Sequence, residues 1–129
     1  WKPTGKTYKV WVDRPAGGES VCRFWSGQSF APLSSHFYTP YPGECSGLRS
    51  SPVWAFEGTV FSLLLPGSYD GACPRDSQPL FRVYNTGISG APNHRYTTDR
   101  ALLDTMVRQG WTMEGHGSTS VFACVPLQE

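Results

Sequence analysis

The chain has 129 residues, of which 16% are charged, and a formal net charge of +1. That length fits one domain with a real core and excludes two ordinary ones. The near-neutral balance argues against a nucleic-acid partner, which calls for a basic stripe. Fourteen Gly, eleven Pro and 14% aromatic residues exclude a helical bundle and a disordered tail, and point to a loop-rich, mainly β protein.

In chain order, Trp1 opens the sequence with neither an initiator Met nor a signal peptide, as a processed or truncated piece of a longer protein would. Lys2, Lys6 and Lys9 read as a solvated strand edge. Cys22–Trp25 alternates and is aromatic, so a strand is expected there, followed by a Gly/Pro/Ser loop over 26–35 and a second strand over His36–Thr39. A short helix is expected near Glu44 to Ser50, broken before Pro52, and a final strand from Trp54 to Leu65. The order then recurs. Phe81–Tyr84 reads as a strand, 85–93 as a loop and His94–Thr97 as a strand. Asp99 offers an N-cap to a helix whose apolar face is Leu102, Leu103, Met106 and Val107, with Gly110 as its stop. A last strand is expected from Trp111 to Val125. The longest apolar run, Val60 to Leu65, is interrupted by Ser62 and is far too short to insert in a membrane.

The recurrence is also residue by residue. Arg23 matches Arg82, Trp25 matches Tyr84, and His36, Tyr38, Trp54 and Glu57 match His94, Tyr96, Trp111 and Glu114. Arg to His is 13 residues and then 12, His to Trp is 18 and then 17, and Trp to Glu is 3 in both. The first residues fit the closing half of such a unit, with Thr4 in the place of the Glu. The expected fold is therefore α+β, mainly antiparallel β: a single domain over 1–129 of pseudo-symmetric β-β-α-β repeats with short helices and two disulfides. Residues 1–15 would close a first repeat, 21–66 form the second, 67–78 link, and 79–126 form the third. An incomplete first repeat leaves an edge for another chain to cover, or for residues 1–11 to cover as an edge strand.

Four Cys without CxxC spacing read as two disulfides in an oxidising compartment, hence a secreted or surface protein. Three pairings exist, and the repeat favours Cys22 with Cys45 and Cys73 with Cys124. Scattered cysteines argue against the rival reading, a zinc site, and no cofactor is expected.

The matched Arg23, His36, Tyr38, Trp54, Glu57, Arg82, His94, Tyr96, Trp111 and Glu114 read as structural. Each His is expected to bond a backbone group or its own unit's Glu, and each Arg–Glu set to form a buried ion pair, since an unpaired buried charge is too costly. No GxSxG elbow, HExxH or paired-carboxylate motif appears, so the expectation is no catalysis. Binding is the favoured class, because aromatics that stack on sugar rings lie beside planar hydrogen-bonding groups in the loops. Trp25, Gln28, Tyr84, Asn85 and Asn93 are the candidate ligand residues, with Tyr41 and Tyr69 also in or near loops. A polysaccharide or cell-envelope glycan is the expected partner. The alternative is a structural or adhesive subunit completed by another protein chain or an upstream domain.

The SHFYT and NHRYTT cores, the CRFW and FRVYN strand openings and the closing WxxEG resemble a bacterial and fungal repeat domain of unknown function marked by His-Phe-Tyr-Thr. The Cys22-to-Cys45 unit, followed by Cys73-Pro74 and NHRYTT, is similar to the C-terminal form of that domain in secreted bacterial proteins. The resemblance implies an accessory, targeting or adhesive role beside extracellular hydrolases or surface proteins.

Overall fold

The computed structural model describes residues 7–87 and 92–127. Its elements run β1 (Gly18–Trp25), β2 (His36–Thr39), α1 (Pro42–Arg49), β3 (Ala55–Leu64), β4 (Ser77–Tyr84), β5 (His94–Thr97), α2 (Arg100–Arg108), β6 (Thr112–Met113) and β7 (Ala123–Pro126). All strand pairs among the described residues are antiparallel, in the order β2-β1-β3-β7-β4-β5, with β6 also on β4. The fold is a mainly antiparallel sheet with two short helices and two disulfides, Cys22–Cys45 and Cys73–Cys124. Residues 1–6, which include Lys2, Lys6 and most of the expected closing half-unit, lie outside the described residues. Trp11 forms a bridge to Ser62 of β3, and Tyr8 and Val10 pack on the core.

Local chemistry explains each helix. Pro42 sits at the start of α1, where a missing N–H costs nothing, so the helix begins two residues before the expected Glu44. In α2 the Asp99 carboxylate accepts the N–H groups of Ala101 and Leu102. Leu103 and Met106 are buried beneath α2, whereas Val107, near its open end, stays 39% exposed.

One expectation is corrected. A continuous strand from Trp111 to Val125 is replaced by β6, a turn closed by the His116–Val121 bridge, and β7. Both strands lie on the same side of β4, β7 against Ser77–Leu80 and β6 against Val83–Tyr84. Glycine makes the turn between them feasible. A Cβ on Gly115 would lie 2.2 Å from the Ser120 carbonyl oxygen, so the chain returns on itself too closely for any side chain there.

The core is three neighbouring apolar clusters. Val21, Leu63, Leu80 and Val125 centre one, Val83, Leu103 and Met106 the next, and Phe24 and Phe37 the third, beside the Cys22–Cys45 bridge. Among the described residues the half up to β3 and the half from β4 onward share a single strand pairing, Leu64 with Cys124. Opposite this join, β2 and β5 meet through a side chain: the Tyr96 hydroxyl accepts from the Tyr38 N–H and donates to the Tyr38 carbonyl, both at 2.8 Å. Burial raises the Tyr96 phenol well above its ordinary pKa, which keeps that donor protonated.

Candidate functional site

The two outer hairpins pair in one register. Arg23 faces Tyr38 and Trp25 faces His36; Arg82 faces Tyr96 and Tyr84 faces His94. Each set gathers a carboxylate. Glu57 Oε1 accepts from Arg23 Nε at 2.9 Å and lies 3.2 Å from His36 Nε2; Glu114 Oε1 accepts from Arg82 Nε at 2.8 Å and lies 3.1 Å from His94 Nε2. A bulge aims Glu57. Between Cys22 and Phe24, β1 advances two residues while β3 advances three, from Thr59 to Phe56, and Gly58 takes a φ of +99°. Glu57-Gly58, the Glu-Gly pair of the first WxxEG, is the sequence trace of this bulge.

What differs is the cover. Arg82 and His94 side chains are 5% and 10% exposed, whereas Arg23 and His36 are 38% and 47% exposed. The cover is β2–α1. Phe37 stands edge-on against His94 with ring centres 4.7 Å apart, and Tyr84 stacks on the same imidazole at 4.8 Å. The Arg82 guanidinium lies 4.9 Å from the Phe37 ring centre and 4.1 Å from that of Phe122. Glu44 of α1 then closes the fork, Oε1 to Nη1 at 3.1 Å and Oε2 to Nη2 at 2.8 Å. Arg82 is thus a buried cation between two carboxylates and two rings. Arg23 was expected in a buried ion pair, and this is corrected: its pair with Glu57 is half-exposed, because no strand–helix unit among the described residues lies over it.

Above Arg82 a cleft of about 560 Å³ opens between the start of α1 and the 115–122 turn, lined by Tyr41, Glu44, Glu114, His116 and Phe122. Burial pushes the Tyr41 phenol to about 12, and its hydroxyl donates to the Phe122 carbonyl. Burial also tends to raise the Glu44 carboxyl, but hydrogen bonds from Arg82 and Thr39 outweigh it and hold the group below its usual range. At Glu114 burial is likewise outweighed, by the hydrogen bond from His94 and the charge of Arg82. Both groups therefore bind protons less readily folded than unfolded. Their contribution is present above the unfolded carboxyl pKa of about 4.3 and is lost as pH falls through the lower folded values. Urea midpoints measured from pH 7 down to pH 2 are expected to drop in the range below about 4, and Glu44→Gln to make that drop shallower.

The structure divides the candidate ligand residues. Trp25 closes β1 and is 37% exposed, and Gln28 is exposed in the following turn. Tyr84 is occupied by His94, as described. Asn85 is a correction: it is 2% exposed, and its Oδ1 accepts the N–H groups of Gly87 and Asn93, so it clasps the loop from inside. Asn93 pairs with Ser35 at 3.4 Å. Tyr69 is 96% exposed but stands away from these groups in the segment before β4. Tyr38, Tyr96, Trp54 and Trp111 are all partly buried against the apolar clusters. Sequence reasoning missed Glu44. The recurrence hides it, because the residue eight places after His94 is Leu102, where Glu44 stands eight after His36.

Among the described residues no three His, Cys, Asp or Glu side chains converge as a metal ion would need, and no helix is long and apolar enough to cross a membrane. A known family model matches residues 1–121. The chain belongs to DUF5648, a domain of unknown function. No curated protein and no solved structure matches this DUF5648 chain.

Proposed function

We propose that the domain is a non-catalytic binding module of a secreted or surface protein, and that it recognises carbohydrate or cell-envelope material on the open sheet face around Trp25. One observation carries the reading: an exposed indole stands among Arg23, His36 and Glu57, three planar hydrogen-bonding groups, while its counterpart Tyr84 is used up by packing. Aromatic faces beside such groups suit pyranose rings. The cleft over Arg82 is the poorer choice, because its Arg and Glu44 already saturate each other. Its two carboxylates also argue for binding over hydrolysis: both are held ionised, and glycoside cleavage needs one with a raised pKa to donate a proton. Two disulfides in a small domain support an oxidising, extracellular setting.

Retention on insoluble cell-wall polysaccharide and a glycan array test this reading. Trp25→Ala is expected to weaken binding about tenfold or more, as loss of an aromatic anchor does. No retention by the wild type, or equal retention by the variant, refutes it. A second reading, docking of another protein on this face, draws on the chain's own use of β2–α1 to cover the matching face.

A further inference from the structure

We infer that Arg23 is a carboxylate receptor, and that the carbohydrates this domain takes are acidic ones bearing uronate groups. The inference rests on the carbohydrate reading of the open face and adds the chemistry of the ligand.

The molecule contains its own template. At Arg82 the guanidinium divides its donors: Nε goes to Glu114, which orients the group, and the outward fork of Nη1 and Nη2 takes the Glu44 carboxylate side-on. At Arg23 the first half of that arrangement is present, with Nε on Glu57 and Glu57 braced by His36. The second half differs: among the described residues no hydrogen bond engages Nη1 or Nη2, the side chain is 38% exposed, and the Nε bond to Glu57 restrains the guanidinium plane. Such a fork matches a carboxylate in shape as well as charge. Glu57 does not forbid the second anion, since Arg82 already holds two carboxylates at once.

The neighbouring indole selects the rest of the ligand. Trp25 and Arg23 are two residues apart on one strand, so their side chains rise from the same face about 7 Å apart. At Arg82 the carboxylate arrives with an aromatic ring, Phe37, laid over the guanidinium by the same strand–helix unit. On the open side the stacking surface belongs to the receptor instead. A sugar ring on Trp25 with its exocyclic carboxylate turned towards Arg23 would use both.

Affinity electrophoresis and calorimetry of the full chain with polygalacturonate, its fully methyl-esterified form, dextran sulfate and poly-glutamate test this. Binding to polygalacturonate is expected to fall about tenfold or more on esterification, and as much in Arg23→Gln. Arg23→Lys keeps the charge and loses the fork, so it should not restore binding. Unchanged circular dichroism and thermal midpoint show that each variant is folded. Equal affinity for the esterified polymer overturns the acidic specificity and leaves the carbohydrate reading standing. Binding of dextran sulfate as tight as that of polygalacturonate, with full rescue by Arg23→Lys, overturns it in favour of unspecific polyanion attraction. Equal binding of poly-glutamate, indifferent to Trp25→Ala, overturns it in favour of a polypeptide ligand. No binding to polygalacturonate by a domain that is retained on cell-wall polysaccharide or the glycan array overturns the acidic specificity alone; no binding in either test refutes the carbohydrate reading itself.

Discussion

Arg82→Ala is expected to destabilise the domain by about 3–5 kcal/mol, whereas Arg23→Ala should cost about 1 kcal/mol or less. The two residues hold matching strand positions, each with its Nε on a carboxylate, so the contrast reads what Arg82 adds: burial, the second carboxylate Glu44 and the two rings. Without Arg82, Glu44 and Glu114 face each other with no cation between them, and a gap opens between the Phe37 and Phe122 rings. Against a total stability of about 5–15 kcal/mol for a small domain, that loss is a large fraction. Arg82→Met separates the causes: it fills the gap but removes the charge, and is expected to recover about half of the loss. Guanidinium denaturation at pH 7 reads all three variants. A smaller effect for Arg82→Ala than for Arg23→Ala would contradict a buried Arg82 held between two carboxylates.

The second large effect belongs to the disulfides. Cys73–Cys124 spans 51 residues and Cys22–Cys45 spans 23, which in the chain-entropy picture correspond to about 4 and about 3 kcal/mol. The longer bridge should matter more for a further reason. It fastens β7 at Cys124, the residue that pairs with Leu64 of β3 across the two halves. Paired Cys→Ala variants keep the buried sites apolar. Their denaturation midpoints should fall in the order wild type, Cys22/Cys45 variant, Cys73/Cys124 variant.

How far the sequence alone leads depends on where the determining contact lies. Strand positions, the Asp99 cap and the elements of both hairpins follow from neighbours in sequence, where alternation and capping act directly. Each histidine was expected to bond either a backbone group or its own unit's Glu, and Glu57 and Glu114 lie beside His36 and His94. The break between β6 and β7 was not legible, because it depends on how closely Gly115 passes Ser120 in space. Nor was the unequal burial of Arg23 and Arg82. Two matched residues look alike in sequence; what sets them apart is Glu44 and Phe37, each more than 35 positions away from Arg82. Asn85 misled for a related reason: a polar residue in a loop suggests an exposed contact, yet its carboxamide faces inward to hold the loop's own backbone.

The hydroxyl of Tyr96 has a consequence for how the molecule behaves in company. An outermost strand such as β2 ordinarily presents free N–H and C=O groups to any extended peptide that drifts past, and sheets can grow into fibres that way. Here the central N–H and C=O of that border are already engaged by one phenol oxygen. A strand added there must first displace a buried side chain from both bonds. The domain guards this edge against strand-by-strand aggregation with an aromatic residue drawn from the far end of its own sheet.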